Sequence, residues 1–132
     1  MVYVIPGKPQ PLQRARTNPY GKRPWDPQKA LKSQLGTLIA AQKKIKRFYE
    51  GPLKLVIVFL FPRTRATQFA KWHISRPDTT NLTKLIEDTA QGILFKDDCT
   101  ICWIDTRKMY SDKPRVEFEL YELEPRSITD GK

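Results

Sequence analysis

Residues Leu53–Phe61, LKLVIVFLF, contain the longest apolar run of the chain. β-Branched and aromatic side chains dominate this run, and Gly51-Pro52 and Pro62 bound it. This composition predicts a central β-strand that is buried on both faces. The run is too short to cross a bilayer as a helix, so we expect no membrane partner.

Three further segments are predicted to be strands. Val2–Ile5 is a short β-branched run that Pro6-Gly7 ends. Cys99–Thr106, CTICWIDT, is largely apolar and is predicted to be extended. Arg115–Leu123, RVEFELYEL, alternates apolar and charged side chains, which is typical of a half-buried antiparallel strand.

The first predicted helix begins at Asp26-Pro27, an N-cap followed by a proline at the first helical position. It should end near Tyr49, before a Gly-Pro pair, and its lysines are more typical of a solvated face than of a DNA contact. The basic segment Arg63–Ile74 is compatible with a helical turn or with a mobile loop.

The second predicted helix runs from about residue 81 to residue 91. Thr79 or Thr80 would cap it and Gly92 would close it. Lys84 and Asp88 lie one turn apart on its polar face, where the simplest interpretation is an ordinary ion pair.

Charge is unevenly distributed along the 132 residues, whose formal net charge is +10. From Met1 to Arg76 there are sixteen Lys or Arg and two acids, whereas from Pro77 to Lys132 there are eight and twelve. A nucleic-acid-binding front half and an acidic catalytic back half would explain this asymmetry better than a merely basic surface. The N-terminus lacks the pattern of a secretory signal, so we expect a cytoplasmic protein.

A basic, proline-rich loop is predicted from Lys8 to about Trp25. Its cations, with Tyr20 and Trp25 between them, suit phosphate contacts and base stacking. Together with the basic segment after the central strand, it supplies the candidate DNA-binding residues: Lys8, Arg14, Arg16, Lys22, Arg23, Arg65, Lys71 and Arg76.

The run from Arg76 to Asp98, RPDTTNLTKLIEDTAQGILFKDD, concentrates carboxylates around one predicted helix. Magnesium prefers oxygen ligands and keeps several waters, so two or three carboxylates suffice to hold it. Such an ion beside a polyanion is the arrangement that phosphodiester hydrolysis needs. Zinc is not expected, because Cys99 and Cys102 have no second cysteine pair and His73 is the only histidine. We expect both cysteines to be reduced and packed in a strand.

The motif PDxxNLxK, with an acid four residues after the lysine and DD about ten residues further on, resembles the RusA family of Holliday-junction resolvases. The segments IPGKPQPLQRAR and GPLKLVIVFLFP are also similar to that family, and the resemblance covers about Val2 to Leu123. It implies a small α/β fold, a homodimer, and Mg²⁺-dependent paired nicking of four-way DNA junctions in bacteria and their phages. Mn²⁺ is the expected substitute ion.

By motif position, the resemblance assigns catalysis to Asp78, Lys84 and Asp98. It assigns the metal to Asp78 and Asp98, supported by Asp97, Asp88 and Thr80. Thr80 departs from the family, whose motif has an aspartate there, and a neutral hydroxyl is a weaker donor. Three interpretations stay open: a site with fewer acids, a working variant in which Thr80 mainly caps the helix, or a junction-binding protein that cuts poorly or not at all.

We therefore predict an α/β (α+β) protein, a small single domain over residues 1–123 with a disordered tail at 124–132. Two main helices should pack on a mixed, mostly antiparallel sheet of about four strands. A homodimer is expected, because symmetric cleavage of a two-fold junction needs two equivalent sites. The predicted function is junction resolution in DNA recombination and repair. The alternatives are a catalytically inactive junction- or single-strand-binding protein, and a basic domain that binds nucleic acid non-specifically or an acidic protein partner.

Overall fold

A computed structural model describes residues 1–13 and 25–127 of the chain. Within these residues, four strands and two α-helices follow one another in the order β1, α1, β2, α2, β3, β4. Their bounds are Tyr3–Pro6 (β1), Lys29–Gln42 (α1), Leu53–Pro62 (β2), Thr79–Ala90 (α2), Ile101–Ser111 (β3) and Arg115–Glu122 (β4). The predicted tail, residues 124–132, lies outside the described residues from 128 onward.

The strands form one sheet in the order β1-β4-β2-β3. β4 pairs antiparallel with both β1 and β2, whereas β2 and β3 are parallel. A parallel pair needs a long crossover, which residues 63–100 provide with α2 inside it. The sheet is therefore mixed and mostly antiparallel, with β2 in its interior, and the predicted fold class is confirmed.

The core lies on one face of the sheet. Five alternate β2 side chains are at most 2% exposed and pack in one cluster with residues of both helices: Leu53, Leu55, Ile57, Phe59 and Phe61. On the other face of the strand, Val56 and Val58 are only partly buried. The prediction that this strand is buried on both faces is wrong, because α1 and α2 both contribute to the cluster on one face.

The first helix begins later than predicted. Asp26 does not cap it; its carboxylate accepts a hydrogen bond from Gln28 N at 2.8 Å and closes a separate turn. Gln28 is the N-cap and α1 starts at Lys29. The aspartate also accepts a hydrogen bond from the Lys32 ammonium at 2.8 Å, which ties this turn to the helix.

The first helix also ends earlier than predicted. After Gln42 the chain becomes extended at Lys43, with φ −68° and ψ 123°. Tyr49, the predicted end, instead donates its N–H to Leu94 O at 2.7 Å. The Gln42 amide accepts from Val4 N and donates to Val4 O, both at 2.8 Å. This side chain therefore binds α1 to the backbone of the edge strand β1.

α2 has the predicted buried stripe but a different cap. Its apolar face enters the core through Leu82, Leu85, Ile86 and Ala90. Asp78, not Thr79 or Thr80, is the N-cap, and its carboxylate accepts a hydrogen bond from Asn81 N at 2.8 Å. Gly92 follows with φ 83°, the left-handed conformation that suits glycine after a helix.

β3 begins two residues later than predicted, because Asp98–Thr100 form a 3-10 turn. Cys99 lies in this turn and Cys102 in the strand, and both are free and exposed. The prediction that both cysteines pack in a strand is wrong, because Cys99 lies outside the strand and both side chains are exposed. None of the helices in the described ranges has the length and apolar character that crossing a membrane requires.

An ion pair at the end of β4 predicts acid sensitivity. Arg47 donates two hydrogen bonds to the Glu122 carboxylate, at 2.7 and 2.8 Å, and Glu50 N donates a third at 2.7 Å. These donors, the guanidinium first, lower the pKa of Glu122 from 4.5 to about 2. A depressed carboxyl pKa adds stability above the unfolded pKa, and that stability disappears as pH falls through the folded pKa.

Glu122→Gln should therefore destabilise the protein at neutral pH and remove the part of the acid dependence that lies between pH 4.5 and about 2. Urea unfolding midpoints of wild type and variant, measured across this pH range, would show the change in stability. Glu124→Gln is the control, since Glu124 is exposed and accepts a hydrogen bond from Arg126 N at 3.3 Å. Equal pH dependence in wild type and Glu122→Gln would contradict the assignment.

Candidate active site

The side chain of Lys84 joins two carboxylates from different parts of the chain. Its ammonium lies 3.0 Å from Asp98 Oδ2 and 3.5 Å from Asp88 Oδ1. Lys84 and Asp88 are one turn apart on the polar face of α2, whereas Asp98 lies in the turn that precedes β3. The predicted convergence of helix and strand start is therefore present at these three residues.

The turn that carries Asp98 is held by hydrogen bonds from backbone N–H groups to side-chain oxygens. Gln91, just after α2, accepts a hydrogen bond from Asp98 N through its Oε1 at 2.9 Å. Asp97 caps the turn by accepting from Cys99 N at 3.0 Å, and this bond lowers the pKa of Asp97. Asp97 is therefore committed to its own turn, while Asp98 faces Lys84.

Asp78 is placed by the start of α2. Its Oδ1 caps the helix, and the same helix end is held by Leu12 N, which donates to Asn81 O at 2.9 Å. Asp78 and Asn81 line a cavity of about 500 Å³ with Arg76, Pro77 and the N-terminal loop. Asp78 is thus presented at the N-terminus of α2, beside Arg76 of the preceding loop.

Glu87 is a carboxylate of this region that the sequence reasoning missed. It is partly buried, and burial raises its pKa, with the charges of Asp98 and Asp88 acting in the same direction and Lys84 opposing them. Glu87 follows Lys84 by three residues and Thr80 by seven, so helical periodicity alone would have placed all three on one side of α2.

Thr80 lies on the side of α2 that carries Lys84 and Glu87. It lines a second cavity, of about 230 Å³, with Lys84, Glu87, Ile104 and three other threonines, as well as Asn81. One of those threonines, Thr83, donates to Thr106 Oγ1 of β3 at 3.3 Å. Because Thr79 precedes it in the helix and Asp78 caps the helix, Thr80 is free of the capping role that the sequence suggested.

Electrostatics favour a charged lysine at this point. The pKa of Lys84 is raised, first by its hydrogen bond to Asp98 and then by the negative charges of Asp88, Asp98 and Glu87, against partial desolvation. Lys84 is therefore cationic at neutral pH. A permanent cation at this position can neutralise charge that develops on a phosphate.

The donor set suits a hydrated hard cation better than a closed protein cage. Among residues 1–13 and 25–127, no three carboxylate, histidine or cysteine side chains are grouped closely enough to hold an ion. Asp88 and Asp98 nevertheless form an anionic niche that already attracts one cation, the Lys84 ammonium. Mg²⁺ keeps most of its waters and binds through one or two carboxylates plus substrate phosphates, so this pair fits it.

Comparison with known proteins agrees with this chemistry. A family model described as Endodeoxyribonuclease RusA matches residues 6–121, from the end of β1 almost to the end of β4. The chain belongs to the RusA family of endodeoxyribonucleases. This confirms the family resemblance that the PDxxNLxK motif carried and the predicted enzyme class.

Two relatives of this RusA-family chain differ in how far they are characterised. It is 31% identical over 122 residues to the crossover junction endodeoxyribonuclease rusA of Lactococcus phage r1t, an alignment covering 90% of this chain and 82% of that protein. It is 24% identical over 101 residues to the uncharacterized protein YqaN of Bacillus subtilis (strain 168), covering 68% and 71%.

In this RusA-family protein a basic, partly apolar loop precedes Asp78. The segment between β2 and α2 contains a 3-10 turn at Arg65–Thr67, so the sequence alternative of a helical turn is present there. Further on, Trp72 forms an isolated bridge with Met109 of β3. Phe69 and Ile74 project from the loop with 93% and 91% of their surface exposed.

The candidate DNA-binding residues are only partly described. Arg65, Lys71 and Arg76 are exposed on this loop, and no ion pair within the described ranges includes them. Lys8 is exposed; the pKa of His73 is lowered first by burial and then by the charges of Lys108 and Lys8. The remaining candidates lie outside the described residues: Arg14, Arg16, Lys22 and Arg23.

Proposed function

We propose that this protein is a Mg²⁺-dependent, structure-selective endonuclease that resolves four-way DNA junctions by paired nicks in recombination and repair. The observation that carries the proposal is the Lys84 ammonium held between Asp98 and Asp88 in a RusA-family chain. The name of the Lactococcus phage relative supports the junction as substrate. The protein would act in the cytoplasm of a bacterium, encoded by the cell or by a phage.

Each site residue has a distinct role in this proposal. Asp98 and Asp78 would hold the metal, with Asp88 and Asp97 as supporting carboxylates. An ion held there would supply neutralisation of the scissile phosphate and a water molecule of lowered pKa. Lys84 stabilises the negative charge that develops on the phosphate and keeps the Asp98 carboxylate oriented.

A cleavage assay tests the proposal directly. A synthetic four-way junction and a linear duplex of the same sequence would be incubated with the protein and Mg²⁺ or Mn²⁺. We expect symmetric nicks in the junction and little cutting of the duplex. A folded protein that binds the junction but cuts it with neither ion would overturn the proposal.

Thr80→Asp should increase metal affinity, because it restores a carboxylate on the same helix face as Lys84. We expect Mn²⁺ binding to tighten by roughly ten-fold, with a parallel rise in cleavage rate at limiting metal. Calorimetric titration with Mn²⁺ measures this without relying on activity. Thr80→Asn is the matched neutral control, and equal metal affinity in the two variants would show that position 80 does not reach the ion.

The exposed cations of the loop between β2 and α2, together with the exposed Lys8, are proposed to contact the DNA backbone. Alanine at Arg65, Lys71 or Arg76 should raise the junction Kd irrespective of base sequence. Removing one cation that binds a phosphate should reduce the slope of log Kd against log salt by about one. Lys29→Ala, on the exposed part of α1, is the control, and an equal change there would contradict a localised surface.

A two-fold homodimer completes the proposal. Paired nicks in a symmetric junction require two equivalent sites, and a C2 dimer supplies both from one chain. Sedimentation equilibrium, with and without junction, would give the mass. A monomer that makes paired nicks would argue against it.

A second function, junction binding without cleavage, is supported by the state of Asp78. Its carboxylate caps α2, and the described residues contain no group of three metal-ligating side chains. This alternative expects salt-sensitive binding that survives EDTA, with Asp78→Asn harmless to every activity. Loss of cleavage with retained binding in Asp78→Asn would exclude it.

A further inference from the structure

Lys108 of β3 holds the backbone segment that leads into Asp78. Its ammonium donates hydrogen bonds to Ser75 O at 2.7 Å and to Pro77 O at 2.8 Å. Pro77 directly precedes Asp78, the N-cap of α2. Two carbonyls on either side of Arg76 therefore converge on one cation.

The backbone of β3 docks the same segment a few residues earlier. Lys108 O accepts from His73 N, and Tyr110 N donates to Lys71 O, both at 3.1 Å. The ring of His73 stacks on Phe61 with centroids 3.9 Å apart. The loop is thus attached to the sheet at residues 71–73, and the Lys108 side chain extends that attachment to residue 77.

The ammonium of Lys108 is committed to these carbonyls. None of the ion pairs found among the described residues includes it, in contrast to Lys84. Hydrogen bonds from a charged donor are roughly twice as strong as those between neutral groups. Pro77 has no backbone N–H to donate, so its backbone can bond to the sheet through its carbonyl oxygen, which accepts from Lys108.

We propose that Lys108 is a positioning residue for the Asp78 carboxylate. Asp78 is then held from two directions, by Lys108 through Pro77 and by its own bond from Asn81 N at 2.8 Å. Loss of the ammonium frees residues 75–78 to shift, and a carboxylate displaced by about 1 Å can cost a hundred-fold in rate. The inference rests on the proposed function, because it assigns Asp78 a role in hydrolysis.

Lys108→Met tests the proposal with three readouts. We expect kcat for the junction to fall by about ten-fold or more, Mn²⁺ affinity to weaken by calorimetry, and amide exchange at residues 75–79 to accelerate. The junction Kd in EDTA should change little. Lys54→Met is the matched control, because that lysine lies over the Trp103 ring at 3.8 Å, on the sheet face away from the core.

Chemical rescue separates positioning from general stability. In a background with Cys99→Ser and Cys102→Ser, Lys108→Cys would be alkylated with 2-bromoethylamine, which restores an ammonium at nearly the same reach. Recovery of kcat, Mn²⁺ affinity and slow exchange is expected.

Unchanged amide exchange and unchanged Mn²⁺ affinity in Lys108→Met would overturn the proposal. A variant whose only change is weaker junction binding in EDTA would also overturn it, because that result would identify Lys108 as a DNA contact. If the wild-type protein cuts no junction, the proposed function fails separately, while exchange and Mn²⁺ affinity still test the role of Lys108.

Discussion

Asp98→Asn is expected to lower the single-turnover rate of junction cleavage by about a hundred-fold or more. The substitution removes the charge that would hold the metal of the proposed site and that pairs with the Lys84 ammonium, which lies 3.0 Å from Asp98 Oδ2. The amide keeps the shape of the side chain, so the turn before β3 should persist. Junction affinity measured in EDTA should stay within about two-fold, because the carboxylate faces a lysine and not the exposed basic loop.

Asp112→Asn is the matched control for charge removal. Asp112 lies in the turn between β3 and β4, and its side chain is 91% exposed. It pairs with Arg63, which follows β2. Its replacement should leave the cleavage rate unchanged. If Asp98→Asn and Asp112→Asn cut equally well, the proposed metal site would have to lie elsewhere.

Phe59→Ala is expected to destabilise the protein by about 3–5 kcal/mol. Phe59 is 1% exposed at the centre of β2, the strand that pairs with both neighbours. Truncation removes buried apolar surface and leaves a cavity that the sheet cannot close. Against a total stability of about 5–15 kcal/mol for a small domain, this loss should abolish folding at elevated temperature, as urea unfolding would show.

Phe69→Ala provides the comparison for the same chemical change. Phe69 is 93% exposed, so its removal should leave the free energy of unfolding within about 0.5 kcal/mol of wild type. Equal destabilisation by the two substitutions would mean that burial along β2 does not carry the stability of the fold.

Sequence patterns predicted the elements because each pattern reports local periodicity and side-chain type. The apolar run Leu53–Phe61 became β2 within one residue, and the alternating run Arg115–Leu123 became β4. Helix ends were less predictable. Asp26 and Tyr49 were wrong as the bounds of α1, because Asp26 closes a preceding turn and Tyr49 pairs with Leu94, a residue far along the chain.

The candidate site followed from sequence in part. Lys84 and Asp88 were expected on one helix face, since a spacing of four residues places them together in any α-helix. Their contact with Asp98 depends on how the chain returns from α2 to β3, which Gln91 and the 3-10 turn settle. Helical spacing could have placed Glu87 beside Lys84, but its raised pKa comes first from burial, which spacing does not report.

The sequence by itself determined the order of strands and helices, the acidic face of α2 and the RusA-family motif, because these depend on residues that are neighbours along the chain. Only the tertiary structure decided that Asp98 meets Lys84, that both helices pack on one face of the sheet, and that Lys108 supports the backbone before Asp78. Those outcomes depend on hydrogen bonds and packing between segments that are far apart along the chain. Lys108 and Pro77, for example, come into contact only when the chain folds.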